Sequence, residues 1–152
     1  MAADTLRFRP AMRDDAEAIR DLVRLAYVKW VPLIGREPMP MQADYAAAVA
    51  EHDFDLLVDG DTLVGLIETM HLPDHLWIEN IAVHPGRQHQ GLGRRLLQWA
   101  EKRAEIAGTS ELRLLTNEAF ASNVAMYKKA GFRIDRTEPF RGGTTVYMSK
   151  SL

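Results

Sequence analysis

The spacing of hydrophobic positions along the chain changes several times, and each change marks an element. Leu6 and Phe8 alternate with Arg7 and Arg9, the period of a half-buried strand, and Pro10 ends it. Ile19, Leu22, Val23 and Ala26 then fall at i, i+3, i+4 and i+7, which predicts a helix capped by Asp14 or Asp15 and running to about Lys29. Residues 30–41 contain three prolines and Gly35, so they form a loop or a broken helical excursion. Tyr27, Trp30, Met39, Met41 and Tyr45 lie in and around it, a set that either lines a pocket or packs a core. Residues 46–50 continue as a short helix.

Residues 54–58 and 63–67 flank Asp59-Gly60, a dipeptide favoured in two-residue hairpin turns because both central positions need positive φ. After Pro73, residues 75–83 read as a strand with a fault. Leu76 and Ile78 share one parity, whereas Ile81 and Val83 share the other. One extra residue at Glu79-Asn80, a β-bulge, restores all four to one face. A strand buried on both faces is the other reading, and Trp77 suits it.

Leu92, Leu96, Trp99 and Ala100 predict a helix over Leu92–Ala107, stopped by Gly108. Residues 111–116 then form a strand with Leu112 and Leu114 in phase. A helix over 122–130 ends at Gly131, and 132–134 and 144–148 supply closing strands. The order is β-α-(α)-β-β-β-α-β-α-β-β, a mixed α/β chain without repeat or linker.

Composition narrows the class. With 152 residues the chain is expected to form one domain spanning 1–152, and 47% hydrophobic residues suffice for its core. A net charge of −2 gives no general attraction to nucleic acid. Zero cysteines exclude disulfides, thiolate metal sites and cysteine nucleophiles. No apolar run approaches the roughly 20 residues of a membrane span, and the first residues lack the apolar stretch of a signal peptide. A soluble, cytoplasmic protein with no membrane or nucleic-acid partner is expected.

Chemistry concentrates between Ile81 and Arg95, where a strand passes through a glycine-bearing loop directly into a helix. The start of that helix offers unpaired N–H groups and the positive end of its dipole. Gly91 and Gly93 admit a phosphate, and Arg87, Arg94 and Arg95 add charge. Gly86-x₄-Gly91 is not a nucleotide-triphosphate loop, because Leu92 stands where the lysine is needed. A dinucleotide fingerprint fails at Leu96, where a third glycine is required.

The segment Gln88-x-x-Gly91-x-Gly93 resembles the [Gln/Arg]-x-x-Gly-x-[Gly/Ala] signature of the GNAT superfamily of acyl-CoA-dependent N-acyltransferases. Trp77 to Pro85 is similar to that family's bulged central strand, and Asn123 to Phe132 to its Asn-x-x-Ala-x-x-x-Tyr-x-x-x-Gly-Phe region. The resemblance implies an α/β fold with a central mixed, mostly antiparallel sheet, a bulged and splayed central strand, and flanking helices. It also implies acetyl-CoA as cosubstrate and transfer of its acetyl group to a primary amine by direct attack. Gln88, His89, Gln90, Gly91, Leu92, Gly93 and Arg94 would then cradle the pyrophosphate, Ile81 and Val83 would pair with the pantetheine arm, and Asn123 would bind cofactor through its amide.

Attack of an amine on a thioester needs a proton acceptor, support for the oxyanion and a proton for the departing thiolate. Glu79 at the bulge is the expected base, directly or through water; otherwise it is an ion-paired strand residue. Tyr127, four residues after Asn123 on the same helix face, is the expected proton donor; otherwise it is a packed aromatic. His71 and His75 are separated by Pro73, so no metal site is expected. A non-catalytic acyl-CoA-binding module would need neither Glu79 nor Tyr127, and a structural domain would need no glycine loop. Between Arg36 and Asp55 the charges are one arginine against Glu37, Asp44, Glu51, Asp53 and Asp55, which points to a cationic acceptor: a polyamine, an aminoglycoside or a protein amino group. A homodimer is common among similar proteins.

Overall fold

The computed structural model describes residues 5–152. Seven strands form one sheet, β1 (Leu6–Pro10), β2 (Asp53–Asp59), β3 (Thr62–His71), β4 (Leu76–Val83), β5 (Glu111–Asn117), β6 (Arg133–Phe140) and β7 (Gly143–Ser151). Their spatial order is β1-β2-β3-β4-β5-β7-β6. Every neighbouring pair is antiparallel except β4 and β5. The helices are α1 (Ala16–Tyr27), α2 (Val31–Ile34), α3 (Tyr45–Glu51), α4 (Leu92–Ala107) and α5 (Ala121–Lys129).

The two sheet faces have separate cores. On one face α1 buries Ile19, Leu22, Val23 and Ala26 against Leu56, Val58 and Leu66, the i, i+3, i+4, i+7 stripe of an amphipathic helix. On the other, Leu92, Leu96, Leu97 and Ala100 of α4 and Tyr127 of α5 pack on Leu57, Ile67, Leu76, Ile78, Leu112 and Leu114. α4 has the expected bounds because left-handed glycines close both ends, Gly91 at φ +76 and Gly108 at φ +79. The Gly108 N–H donates to the Ala104 carbonyl, as a left-handed cap does.

β4 carries the bulge. Thr69 pairs with Ile78 and the adjacent Glu68 pairs with Asn80, which leaves Glu79 as the extra residue. Leu76 and Ile78 are therefore followed on the same face by Ile81 and Val83, while Asn80 and Ala82 turn toward α1 and α3.

Several local expectations are corrected. Asp15 stands at the start of α1, but its carboxylate accepts from the Met12 N–H at 2.7 Å and takes both guanidinium nitrogens of Arg9 at 2.9 Å, so it does not cap the helix. The helix ends at Tyr27; a 3₁₀ turn over Val28–Trp30 and the single turn of α2 follow, so the excursion is helical but broken. The first hairpin turns on Gly60-Asp61, because Asp59 still pairs with Thr62. Only Gly60 of that pair has positive φ, +61, as a II′ turn requires. β6 and β7 run well beyond their predicted lengths.

Candidate active site

β4 and β5 pair only from Leu76 to Ile78 against Leu112 to Leu114, and beyond that point the two strands have no mutual hydrogen bonds. The gap opens toward their C-terminal ends. A cleft of about 830 Å³ lies along the freed edge of β4, walled by Ile81 and Val83, the loop and first turn of α4, α5, and Tyr27 and Trp30, with no β5 residue in its wall.

The loop is built by its own backbone. His84 Nδ1 accepts from the Gly86 N–H at 2.9 Å, and the Arg87 N–H donates to the His84 carbonyl at 2.8 Å. His89 takes the left-handed region at φ +64 and Gly91 follows at φ +76. A side chain at Gly91 would meet nothing within 4 Å, so glycine is needed there for its conformation. Gly93 has a different reason: a Cβ there would lie 2.6 Å from Met126 Sδ, so its absence lets α4 approach α5.

Gln88, His89, Gly91, Leu92, Gly93, Arg94 and Asn123 all line the cleft, and Gln90 does not. The Leu92 side chain is buried in the core, leaving only its backbone to face the loop. Of the three arginines, Arg87 is held by Asp59 at 2.8 Å, Arg94 lines the cleft, and Arg95 lies outside it. Lys129 and Lys150 add cationic groups that no motif marked.

Tyr127 lines the cleft from α5 with its ring against Phe132, centroids 5.8 Å apart, and is 7% exposed. Its hydroxyl has no hydrogen-bond partner among the described residues, and burial pushes its pKa up from the usual phenol value. Asn123, Met126, Tyr127 and Ala130 reach the cleft at i, i+3, i+4 and i+7. Glu79 lies outside the cleft wall, is exposed, and accepts from Trp77 Nε1 at 2.8 Å.

Sequence reasoning did not assign Tyr27 a role. Its hydroxyl donates to Asn80 Oδ1 at 2.8 Å and lies 3.3 Å from the Ile81 carbonyl, while Asn80 Nδ2 donates to the Tyr45 hydroxyl at 3.1 Å and Tyr45 donates to the Pro40 carbonyl at 2.6 Å. Of the aromatic and methionine set, Tyr27 and Trp30 line the cleft, Met41 and Tyr45 are core, and Met39 is exposed. The acidic residues after Arg36 are mostly engaged elsewhere: Glu37 pairs with Arg24, Asp53 and Asp55 face Arg103, and Asp44 caps α3. Their number therefore says nothing about the acceptor.

The sheet is an open, mostly antiparallel α/β sheet whose single parallel pair parts beside a glycine loop. Residues 17–132 match the sequence profile of the acetyltransferase (GNAT) family, and the chain belongs to that family. Among similar solved structures is the PaiA N-acetyltransferase of Thermoplasma acidophilum in complex with coenzyme A, at 20% identity and TM-score 0.85, covering 97% of this chain and 99% of that one. The ribosomal-protein-S18-alanine N-acetyltransferase of Escherichia coli matches at 21% identity and TM-score 0.79, over 96% and 93% of the two chains. A GNAT family acetyltransferase of Elizabethkingia anophelis with acetyl-CoA bound matches at 19% and 0.72, over 99% and 100%. A comparison with curated protein sequences finds no match. No helix among the described residues is long and apolar enough to cross a membrane.

Proposed function

We propose that this chain is a single-domain cytoplasmic N-acetyltransferase that moves the acetyl group of acetyl-CoA to a primary amine by direct attack. The observation that carries the reading is the parting of β4 from β5 beyond Ile78 and Leu114, continuous with the loop at 88–94. The α4 N-terminus, Gly91 and Arg94 suit a pyrophosphate, and the unpaired edge of Ile81 and Val83 suits the amides of a pantetheine arm.

In this reading the amine lone pair attacks the thioester carbon, the carbon–nitrogen bond forms and the carbon–sulfur bond breaks. Glu79 takes the amine proton through water, since it stands at the bulge and not in the cleft wall. Tyr127 gives its proton to the departing sulfur. Burial keeps the phenol protonated, and the same dry surroundings raise the basicity of a thiolate formed beside it, so the proton affinities of the two groups rise together. The phenolate then regains its proton from solvent.

The test is calorimetric titration with acetyl-CoA followed by thiol-release assays against primary amines. Binding with acceptor-dependent thiol release supports the enzyme. Binding with no release for any amine supports the non-catalytic acyl-CoA module instead.

A further inference from the structure

Two arginines gathered at the ring of Phe140 have no ion-pair partner among the described residues. The β6–β7 turn places the Arg141 guanidinium carbon 5.2 Å from the centroid of the Phe140 ring, and the chain after α2 places that of Arg36 5.7 Å from the same ring. Neither has an ion-pair partner among the described residues, and the one hydrogen bond of Arg36 goes to the Glu37 carbonyl at 3.4 Å. Arg24, Arg87, Arg103, Arg113 and Arg136 pair with carboxylates, whereas Arg7, Arg13, Arg20 and Arg94 have no ion pair among the described residues, so what sets Arg36 and Arg141 apart is that they share one ring. Each guanidinium is held by attraction to the ring face, and an anion beside the ring would be drawn by both charges. Arg141 also holds a left-handed backbone at φ +48, a conformation that asparagine or glycine adopts more readily in such a turn.

Position makes this pair relevant to the acceptor. β5 ends at Asn117, and the Glu118 N–H donates to the Thr144 carbonyl at 2.9 Å, which fastens the β6–β7 turn beside the splayed strand. From the other side Trp30 lines the cleft and stacks on Phe120 with centroids 4.6 Å apart. The segment between α2 and α3 and the β6–β7 turn therefore meet beside the end of β5, and Arg36, Phe140 and Arg141 stand outside the cleft wall itself. We infer that the acceptor is a small amine that also carries an oxyanion, its amine directed at the thioester and its carboxylate, phosphonate or phosphate held by Arg36 and Arg141 beside Phe140. A guanidinium suits each of these groups through paired N–H donors. This deepens the N-acetyltransferase reading and rests on it.

The experiment titrates the CoA-loaded protein with β-alanine, 4-aminobutyrate, phenylalanine and 2-aminoethylphosphonate, each beside its uncharged amide or ester. At least one anionic amine is expected to bind saturably, at least tenfold more tightly than its uncharged counterpart; the carboxylate and phosphonate arms distinguish the source of the oxyanion. The double variant Arg36→Gln/Arg141→Gln should lose that preference with CoA affinity unchanged, and Arg36→Lys/Arg141→Lys should restore part of it. The inference is overturned if no anionic amine binds, if the uncharged forms bind equally, or if the glutamine variant keeps the preference. Failure of CoA itself to bind would instead remove the acetyltransferase reading, and the same titration without cofactor would then decide the anion site alone.

Discussion

The Tyr27 hydroxyl donates to Asn80 Oδ1 at 2.8 Å, tying the last residue of α1 to the residue immediately after the bulge. Asn80 is 4% exposed, and its amide is satisfied by two phenols, one donating and one accepting. Removing the donor leaves a buried acceptor unpaired. Tyr27→Phe should therefore destabilise the fold by about 1–3 kcal/mol, a fall in melting temperature measurable by circular dichroism. Tyr45→Phe should couple with it in a double-mutant cycle, since both hydroxyls bond one side chain.

An added Cβ at Gly93 would sit 2.6 Å from the sulfur of Met126, the far end of a flexible side chain that can swing aside. Gly93→Ala is therefore expected to fold, because the displacement of Met126 is offset by the roughly 1 kcal/mol by which a helix prefers alanine to glycine. In thermal unfolding it should lie within about 1 kcal/mol of the parent. A much larger loss would show that Met126 is held in place and cannot yield.

Tyr127→Phe keeps the ring against Phe132 and removes only the hydroxyl. A lost general acid should lower kcat on the order of 10²-fold or more, with acetyl-CoA affinity nearly unchanged in calorimetry. Burial raises the phenol pKa, so the proton is held more firmly than in water and is not lost until pH exceeds the ordinary phenol range. Activity of the parent should thus show no decline from phenol ionisation between pH 7 and about 10. A Phe variant of full activity under chemistry-limited conditions would return Tyr127 to packing.

Glu79→Gln tests the base. Loss of a general base costs about 10²–10⁴-fold, and the deficit should shrink as pH rises and the amine deprotonates unaided. Superimposable pH–rate profiles for variant and parent would make the Trp77–Glu79 hydrogen bond the residue's whole role.

How legible the fold was depended on whether an element has one buried face. α4 was readable to the residue because its core stripe lies between two left-handed glycines, and the β4 bulge because four apolar residues on one face changed parity. β6 was not, since it is an edge strand with all eight residues exposed and leaves no periodic trace. The glycine loop was legible because backbone conformation and close approach leave a mark in residue type. Tyr27 with Asn80, and Arg36 with Phe140, join residues far apart in sequence, and no local pattern records such contacts.

Acetyl-CoA lying between β4 and β5 would register in amide hydrogen exchange, which reads that position without altering a residue. Saturating acetyl-CoA should slow exchange in residues 79–83, where β4 has no partner on its β5 side, and in residues 88–94 at the start of α4, while the paired strands β1 and β2 stay unchanged. Saturable binding with exchange unaltered in both segments would contradict it.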